Sequence, residues 1–512
     1  MTATHIAFRT DATGQIGTGH FMRCLTLAEA LKKQRAQIRF VSRGLPTHLR
    51  DMLATKGMQL TTLDSETTES IDGDLAHAQW LGISQAQDAQ ATIQALSDQQ
   101  WDWLVVDHYA LDARWESALR ACTKQILVID DIADRQHNCD VLLDQNFYDD
   151  MQTRYEGKVP AHCRQLLGPR YALLRDEFRK LREQVKPRTG EVKRILVFFG
   201  GVDADNYTGL AIQALAAIGN KALHIDAVIG AQHPYREQIQ QACVEQRYVC
   251  HVQITRMAQL MAEADLAIGA GGTATWERCC LGLPALSLCV ADNQRKQIAD
   301  AAEAGLLYAP SGAVDLIDLI RHHAKCLLEN APLLKLISNT AMNAVDGLGT
   351  LRVMSEIGSS ETGSVTDGVD VRLAIADDAE IVWPWRNSES TRRYFFDPSP
   401  VELDTHVAWW NRSLVDPRRV LLIGSFGGRA FGVIRFDFDT SESAVISIYL
   451  DPDMTGKGMG RTLLLAGLSW LKGSHPEINS VSAEVLPENS ASVRVFQAAG
   501  FSERYRVLVL KV

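Results

Sequence analysis

The sequence predicts an α/β chain of three folded parts: two tandem lobes built on largely parallel sheets, then a smaller α/β or α+β domain. Three observations carry this. Short apolar runs alternate with longer amphipathic segments through residues 1–350, the alternation restarts near residue 190, and a polar, glycine- and serine-rich stretch separates the last 140 or so residues. A chain of 512 residues is also too long for one hydrophobic core.

In the first lobe, expected over 1–188, "HIAFRT", "IRFVSR", "WLVVDHY" and "QILVIDD" read as strands. The last two are nearly continuously apolar, as strands buried on both faces are. Between them, "GHFMRCLTLAEALKK" puts Phe21, Cys24, Leu25, Ala28 and Leu31 on one helical face. A charged helix, "YALLRDEFRKLREQVKPR", ends near Pro187. The second lobe, expected over 189–354, offers the strands "RILVFFG", "HIDAVIG", "YVCHVQI", "LAIGA" and "PALSLCV", with helices around 206–219, 255–263 and 273–282. Two such lobes enclose a cleft that takes a nucleotide-type ligand at the carboxyl ends of the strands. "SEIGSSETGSVTDGVD", 355–370, lacks apolar periodicity and reads as a flexible linker, leaving 371–512 as a separate domain.

Composition narrows the function. The chain is 46% hydrophobic and 22% charged with a net charge of −10, which argues against binding a phosphate backbone and so against a nucleic-acid partner. No apolar run is long enough to span a membrane and the first residues lack a secretory pattern, so a cytoplasmic protein without a membrane partner is expected. The ten cysteines show no CxxC or zinc spacing, and Cys279 and Cys280, adjacent in a helical pattern, suit buried thiols. No structural or catalytic metal is expected.

The second lobe's most informative stretch is "LAIGAGGTATWERCCLGLPALSLCVADNQ", 266–294. Gly271 and Gly272 allow close backbone approach, Thr273 is placed to cap the next helix, and the helix start offers N–H groups to a diphosphate. Glu277, one turn on, is placed to accept from a ribose diol. "VFFGGVDADN" adds a second glycine turn, with Gly200 and Gly201 facing the cleft and Asp203 and Asn206 as polar neighbours. The pattern resembles the nucleotide-sugar motif of glycosyltransferases of the GT-B architecture, the MurG-type group, which has two Rossmann-like lobes. The resemblance implies a UDP-sugar site at Gly200, Gly201, Gly271, Gly272, Thr273, Glu277, Asn293 and Gln294.

In the first lobe, "DATGQIGTGHFMRC" puts a histidine where a glycine-rich turn becomes a helix. Histidine is suited to take a proton near neutrality, and a helix start disfavours a positive charge on it. Together with "VVDHY" and "LLGPRYALLRDEF", the Gly17, Gly19, His20, Arg23 element resembles the UDP-sugar hydrolases of pseudaminic acid biosynthesis over roughly residues 5–345. That implies His20 as general base toward water, Tyr109 as a second catalytic residue that binds or orients the sugar, and Gly17, Gly19, Arg23 and Asn146 as substrate contacts. Asp11 is a further cleft candidate.

The last domain opens with "VRLAIADDAEIVWPWRN" and later runs "AVISIYLDPDMTGKGMGRTLLLAGLSWL", a strand, a glycine turn and an amphipathic helix, followed by "VSAEVLPENSASVRVFQAAGFSER". Backbone N–H groups at such a turn cradle a pyrophosphate. Together these resemble the GNAT N-acetyltransferases, which implies an acetyl-CoA site at Leu450, Gly456, Gly458, Met459, Gly460, Arg461, Asn489 and Ser492. Two positions depart from that family: Thr455 stands where Arg or Gln is usual, and Phe496 where a tyrosine often serves as general acid. Tyr449, Tyr505 and Glu484 are candidates for the missing acid or base. Trp385, Arg386 and Asn387 are candidates to line a nucleotide-sugar acceptor, whereas Trp409 and Trp410 have the spacing of core residues.

The predicted architecture is thus two Rossmann-like lobes of GT-B type followed by a GNAT-fold domain. The resemblances imply acetylation of a UDP-linked 4-amino sugar, then hydrolysis of the diacetamido product to UDP and free sugar with inversion. Two other readings stay open: transfer of the sugar to an acceptor other than water, and a UDP-sugar-binding regulator with an inactive GNAT domain.

Overall fold

A computed structural model describes residues 4–13, 15–64, 74–310, 315–358, 369–426, 429–486 and 488–503. It divides into two compact units, Met1–Val353 and Met354–Val512.

The first unit holds two parallel sheets. One contains β1 (His5–Thr10), β2 (Gln37–Ser42), β3 (Gln59–Thr62), β4 (Trp101–Asp107), β5 (Thr123–Ile129), β6 (Val141–Asp144) and β7 (Arg164–Leu167), in the order β3-β2-β1-β4-β5-β6-β7. The other contains β8 (Arg194–Phe198), β9 (His224–Ile229), β10 (Val249–Val252), β11 (Leu266–Ala270) and β12 (Ala285–Leu288), in the order β10-β9-β8-β11-β12. Each sheet is therefore Rossmann-like, and its strand order reverses between the first strand and the fourth. Chains leaving those two strands diverge, which opens a crevice at their carboxyl ends. Thr10 is paired with Asp107 at one such point, and Phe198 with Gly269 at the other.

The helix Gly19–Lys33 buries the predicted face, with Leu27 added. The strand β4 is buried along most of its length because helices cover both faces of its sheet. Cys279 and Cys280 are buried thiols, their Sγ atoms near the carbonyls of Leu306 and Phe178.

Packing moves the lobe boundary. The predicted charged helix is only Asp176–Arg182, and its Phe178 lies in one core cluster with Met257, Leu260, Trp276 and Cys280 of the second lobe. Arg182 donates to the carbonyls of Cys280 and Met342 at 2.6 and 2.7 Å. Residues expected to finish the first lobe thus belong by contact to the second. The helices Leu316–Leu328 and Ala331–Ala344, unassigned from sequence, cover the second sheet.

The expected linker also differs. Residues 355–358 complete the helix Gly349–Gly358, where Val353, Met354 and Ile357 are buried, and 369–370 open a strand; 359–368 lie outside the described residues. The second unit forms one sheet in sequence order: β13 (Val369–Leu373), β14 (Arg419–Phe426), β15 (Arg429–Phe438), β16 (Ser443–Leu450) and β17 (Ser480–Ala483). The first three pairings are antiparallel and the last is parallel. β16 pairs with β17 only from Ser443 to Ile446, so Ser447–Leu450 run on past it. Trp385 and Trp410 are buried in this unit's core. Among the described residues no helix is long and apolar enough to cross a membrane.

Candidate functional site

His20 is the second residue of its helix and only 8% exposed. Its Nδ1 lies 2.5 Å from Asp107 Oδ1, at the carboxyl end of β4. Arg23, one turn on, grips the same carboxylate twice: Nε to Oδ2 at 2.6 Å and Nη2 to Oδ1 at 2.7 Å. Burial works to raise the pKa of Asp107, but the charges of Arg23 and His20 outweigh it and hold the group well below the usual carboxylate range. An ionised carboxylate only accepts, so the proton between the two groups sits on Nδ1. Arg23 Nη2 also lies 3.2 Å from Nδ1, but a protonated Nδ1 has no lone pair to accept from it, and Nη2 donates to Asp107. With Nδ1–H turned to Asp107, the lone pair available for taking up a proton is the one on Nε2.

Arg23, expected to touch substrate, bridges two carboxylates, Asp107 and Asp131. Its third donor, Nη1, goes to Asp131 at 2.8 Å, and the side chain is buried. Tyr109 donates to the other oxygen of Asp131, and its ring stands edge-on to His20 at 4.5 Å. Asn146 joins the same network. Its Nδ2 donates to Asp131 at 3.2 Å, and its Oδ1 accepts from Trp276 Nε1 at 2.8 Å. Trp276 belongs to the second lobe, so one hydrogen-bonded chain runs His20–Asp107–Arg23–Asp131–Asn146–Trp276 between the two lobes. Asp11 is no cleft residue: it is buried, ion-paired to Arg9 at 2.9 Å, and accepts from Ser42 and from the Arg43 N–H. Gly17 and Gly19 flank the turn, where a Cβ at either would meet open space.

Trp276 lies in the helix Thr273–Cys280, which starts at the reversal point of the second sheet. Thr273 does not cap it. The cap position is Gly272, in the left-handed region at φ 86°, and no side chain bonds the first N–H groups. Gln294 stands over this turn: a Cβ on Gly271 would come 3.2 Å from its Oε1, which is buried without a hydrogen-bond partner among the described residues. Asn293 is in the same turn, Asp292–Gln294. Glu277 is half-buried with its Oε1 3.3 Å from Arg175 Nη2; burial raises its pKa and Arg175 opposes the rise. Gly200 and Gly201 follow β8 next to β11, and a Cβ on either would meet nothing. Asp203 and Asn206 are not cleft groups. They accept from the N–H groups of Tyr207, Thr208 and Gly209 and so cap the helix Tyr207–Ile218.

In the second unit, the helix Met459–Ser474 starts at Gly458, left-handed at φ 78°, with no side-chain cap. Gly456, Gly458 and Arg461 are exposed, so the helix start faces solvent. A Cβ on Gly460 would lie 3.7 Å from Leu450 and 3.8 Å from Val495, which brings the end of β16, this helix start and the helix Ser490–Ala498 together. Asn489 uses its Oδ1 to cap that last helix at the Ser492 N–H, 3.1 Å away. Phe496 is buried against Phe501, and Glu484 is exposed. Tyr505 lies outside the described residues. Tyr449 packs edge-on to Phe395 at 5.7 Å, and burial pushes its phenol up. Of the acceptor candidates, Trp385 is core, and Asn387 clamps Val401 through both its amide groups. Arg386 lies over Phe395 with Nη1 buried and unpaired among the described residues.

Asp107, Asp131 and Trp276 were not named from the sequence. The signal was present for the two acids, since "WLVVDHY" and "QILVIDD" each end a buried strand in a carboxylate, where α/β sheets place their sites. Also among the described residues, Asp149, Asp150 and Asp300 stand close enough to share a cation. Lys296 Nζ already lies 2.5 to 3.5 Å from all three.

Residues 383–501 match the acetyltransferase (GNAT) family. The second unit thus carries a GNAT domain, and the splayed β16 and β17 and the open helix start at Gly458 lie within it. Three relatives cover the first unit. An uncharacterized protein of Methanocaldococcus jannaschii is 21% identical over 97% of this chain and 96% of its own, so the likeness continues through the GNAT domain. The UDP-2,4-diacetamido-2,4,6-trideoxy-beta-L-altropyranose hydrolase of Campylobacter jejuni is 25% identical over 59% of this chain and 97% of its own. The spore coat polysaccharide biosynthesis protein SpsG of Bacillus subtilis is 24% identical over 68% and 96%.

Proposed function

We propose that the chain is a bifunctional enzyme of nucleotide-sugar biosynthesis. Its GNAT domain acetylates the 4-amino group of UDP-4-amino-4,6-dideoxy-N-acetyl-β-L-altrosamine. Its two-lobed unit then hydrolyses the resulting UDP-2,4-diacetamido-2,4,6-trideoxy-β-L-altropyranose to UDP and the free sugar. The similarity to the Campylobacter jejuni hydrolase and the GNAT match support the choice of reactions.

The observation that carries the hydrolase is the His20–Asp107 pair at the crevice of the first sheet. With Nδ1–H held by Asp107, Nε2 accepts a proton from water as the water oxygen attacks the anomeric carbon. The anomeric C–O bond breaks on the opposite face, its electron pair leaves on the UDP oxygen, and configuration inverts. Asp107 stabilises the imidazolium that results. The Gly271–Thr273 helix start, Gln294 and Gly200–Gly201 receive the diphosphate, and Glu277 the ribose. In the GNAT domain acetyl-CoA supplies the acyl group. Gly456, Gly458, Met459, Gly460 and Arg461 hold its pyrophosphate, and the unpaired edge of Ser447–Leu450, with Asn489 and Ser492 nearby, takes the pantetheine arm.

Replacing His20 tests the assignment. His20→Asn is expected to lower UDP release by a factor of about 10² to 10⁴ while UDP still binds, read by product chromatography and by calorimetry. Unchanged turnover removes His20 from the chemistry.

A further inference from the structure

A second group of side chains stands beside His20 that the hydrolysis leaves unused. The short turn Ala78–Leu81 and the residue before it bring Trp80 and His77 against Tyr109. The Trp80 and Tyr109 rings stack 5.6 Å apart at 29°, and His77 lies 5.2 Å from Tyr109 and 4.5 Å from Trp80. Tyr109 in turn meets His20 at 4.5 Å, so the three rings continue directly from the catalytic histidine. Unlike Tyr109, which is 6% exposed, both His77 and Trp80 are half-buried.

Two features set this group apart from ordinary loop packing. Buried polar atoms are nearly always hydrogen-bonded, yet His77 Nδ1 is buried with no partner among the described residues. Burial chiefly, with Arg135 and His20 acting against Asp134, lowers the basicity of His77, so near neutrality it is an uncharged imidazole able to accept or donate one bond. A pyranose presents apolar C–H faces and polar substituents around its rim. Aromatic rings with one placed polar atom are what such a ligand needs.

We propose that Trp80 and His77 form the wall that grips the substrate's sugar ring beside His20, with His77 Nδ1 bonding a polar substituent away from the anomeric carbon. The ligand class is a nucleotide-linked acetamido pyranose, and the proposal rests on the assignment of His20 to UDP-sugar hydrolysis. His77 and Trp80 set affinity for the sugar and take no part in moving the proton.

Steady-state UDP release by the full chain, with UDP affinity measured separately by calorimetry, tests this. His77→Ala and Trp80→Leu are each expected to raise KM for the diacetamido sugar nucleotide about tenfold or more. UDP, which lacks the pyranose, should bind within about twofold of wild type, and the pH profile of kcat should not move. His77→Asn, which keeps a polar atom near the Nδ1 position, should recover part of the KM. An unchanged KM in both variants overturns the wall, and so does a loss of UDP affinity in step with KM, which marks a structural role. If the wild-type chain itself releases no UDP from this substrate, the hydrolase assignment falls and takes the wall with it.

Discussion

Asp107 meets His20 through one carboxylate oxygen and Arg23 through both. This arrangement fixes which imidazole nitrogen carries the proton, and with it the direction in which the base points. Asp107→Asn can present either an amide oxygen or an NH2 group to Nδ1, so the tautomer is no longer dictated. The expected result is a kcat lower by about 10² to 10⁴ with KM for the UDP-sugar little changed. A loss confined to KM contradicts the orienting role. Glycines mark the turn around His20 in the sequence, whereas nothing there marks the partners that Arg23 and Asn146 meet. A sequence shows that a polar residue stands near a site but not which partners it meets: here Asp107 and Asp131 accept from Arg23, Asp131 accepts from Asn146, and Trp276 donates to Asn146.

Strand ends and helix starts do most of the placing. Apolar runs located the central strands of both parallel sheets, and glycine pairs located the turns that follow β8 and β11. Caps were harder to read: Thr273 was expected to cap its helix, but Gly272 takes the left-handed cap position, which leaves the helix start open. Gly458 repeats that device in the GNAT domain. Gly458→Val adds left-handed strain of about 1–2 kcal/mol and a side chain at an exposed turn, so KM for acetyl-CoA should rise roughly tenfold or more while UDP release from pre-acetylated substrate stays at the wild-type rate. A further clasp ties the helix Ala113–Leu119 to the loop after β5. His137 Nδ1 lies 2.7 Å from Glu116, with Asp130 on its other side. Burial opposes the charge on His137, but Asp130 and Glu116 outweigh it and lift the group to about 9. A raised pKa stabilises the fold fully below the unfolded value near 6.5, and the benefit fades as pH rises through 9. Thermal melts should therefore show a loss on the order of 2–3 kcal/mol between about pH 6.5 and 9.5 that His137→Gln lacks. Parallel wild-type and variant profiles contradict it.

Across the whole molecule, the break between a two-lobed unit and a smaller one was legible from the change in composition near residue 355. The exact boundaries were not, because the helix Asp176–Arg182 finds its apolar partners in the second lobe and the helix Gly349–Gly358 extends into the expected linker. The proposed division of the two reactions between the units makes them separable: the His20→Asn chain should still release CoA from acetyl-CoA and the amino sugar at the wild-type rate. Joining consecutive reactions in one chain raises the local concentration of the intermediate at the second site. The central claim, acetylation followed by hydrolysis, is tested most directly by supplying the purified chain with the UDP-linked 4-amino sugar, with and without acetyl-CoA, and following CoA thiol and UDP together by chromatography. The account predicts that CoA appears first and that UDP follows only when acetyl-CoA is present. UDP released equally well without acetyl-CoA, or CoA formed with no UDP to follow, would contradict it.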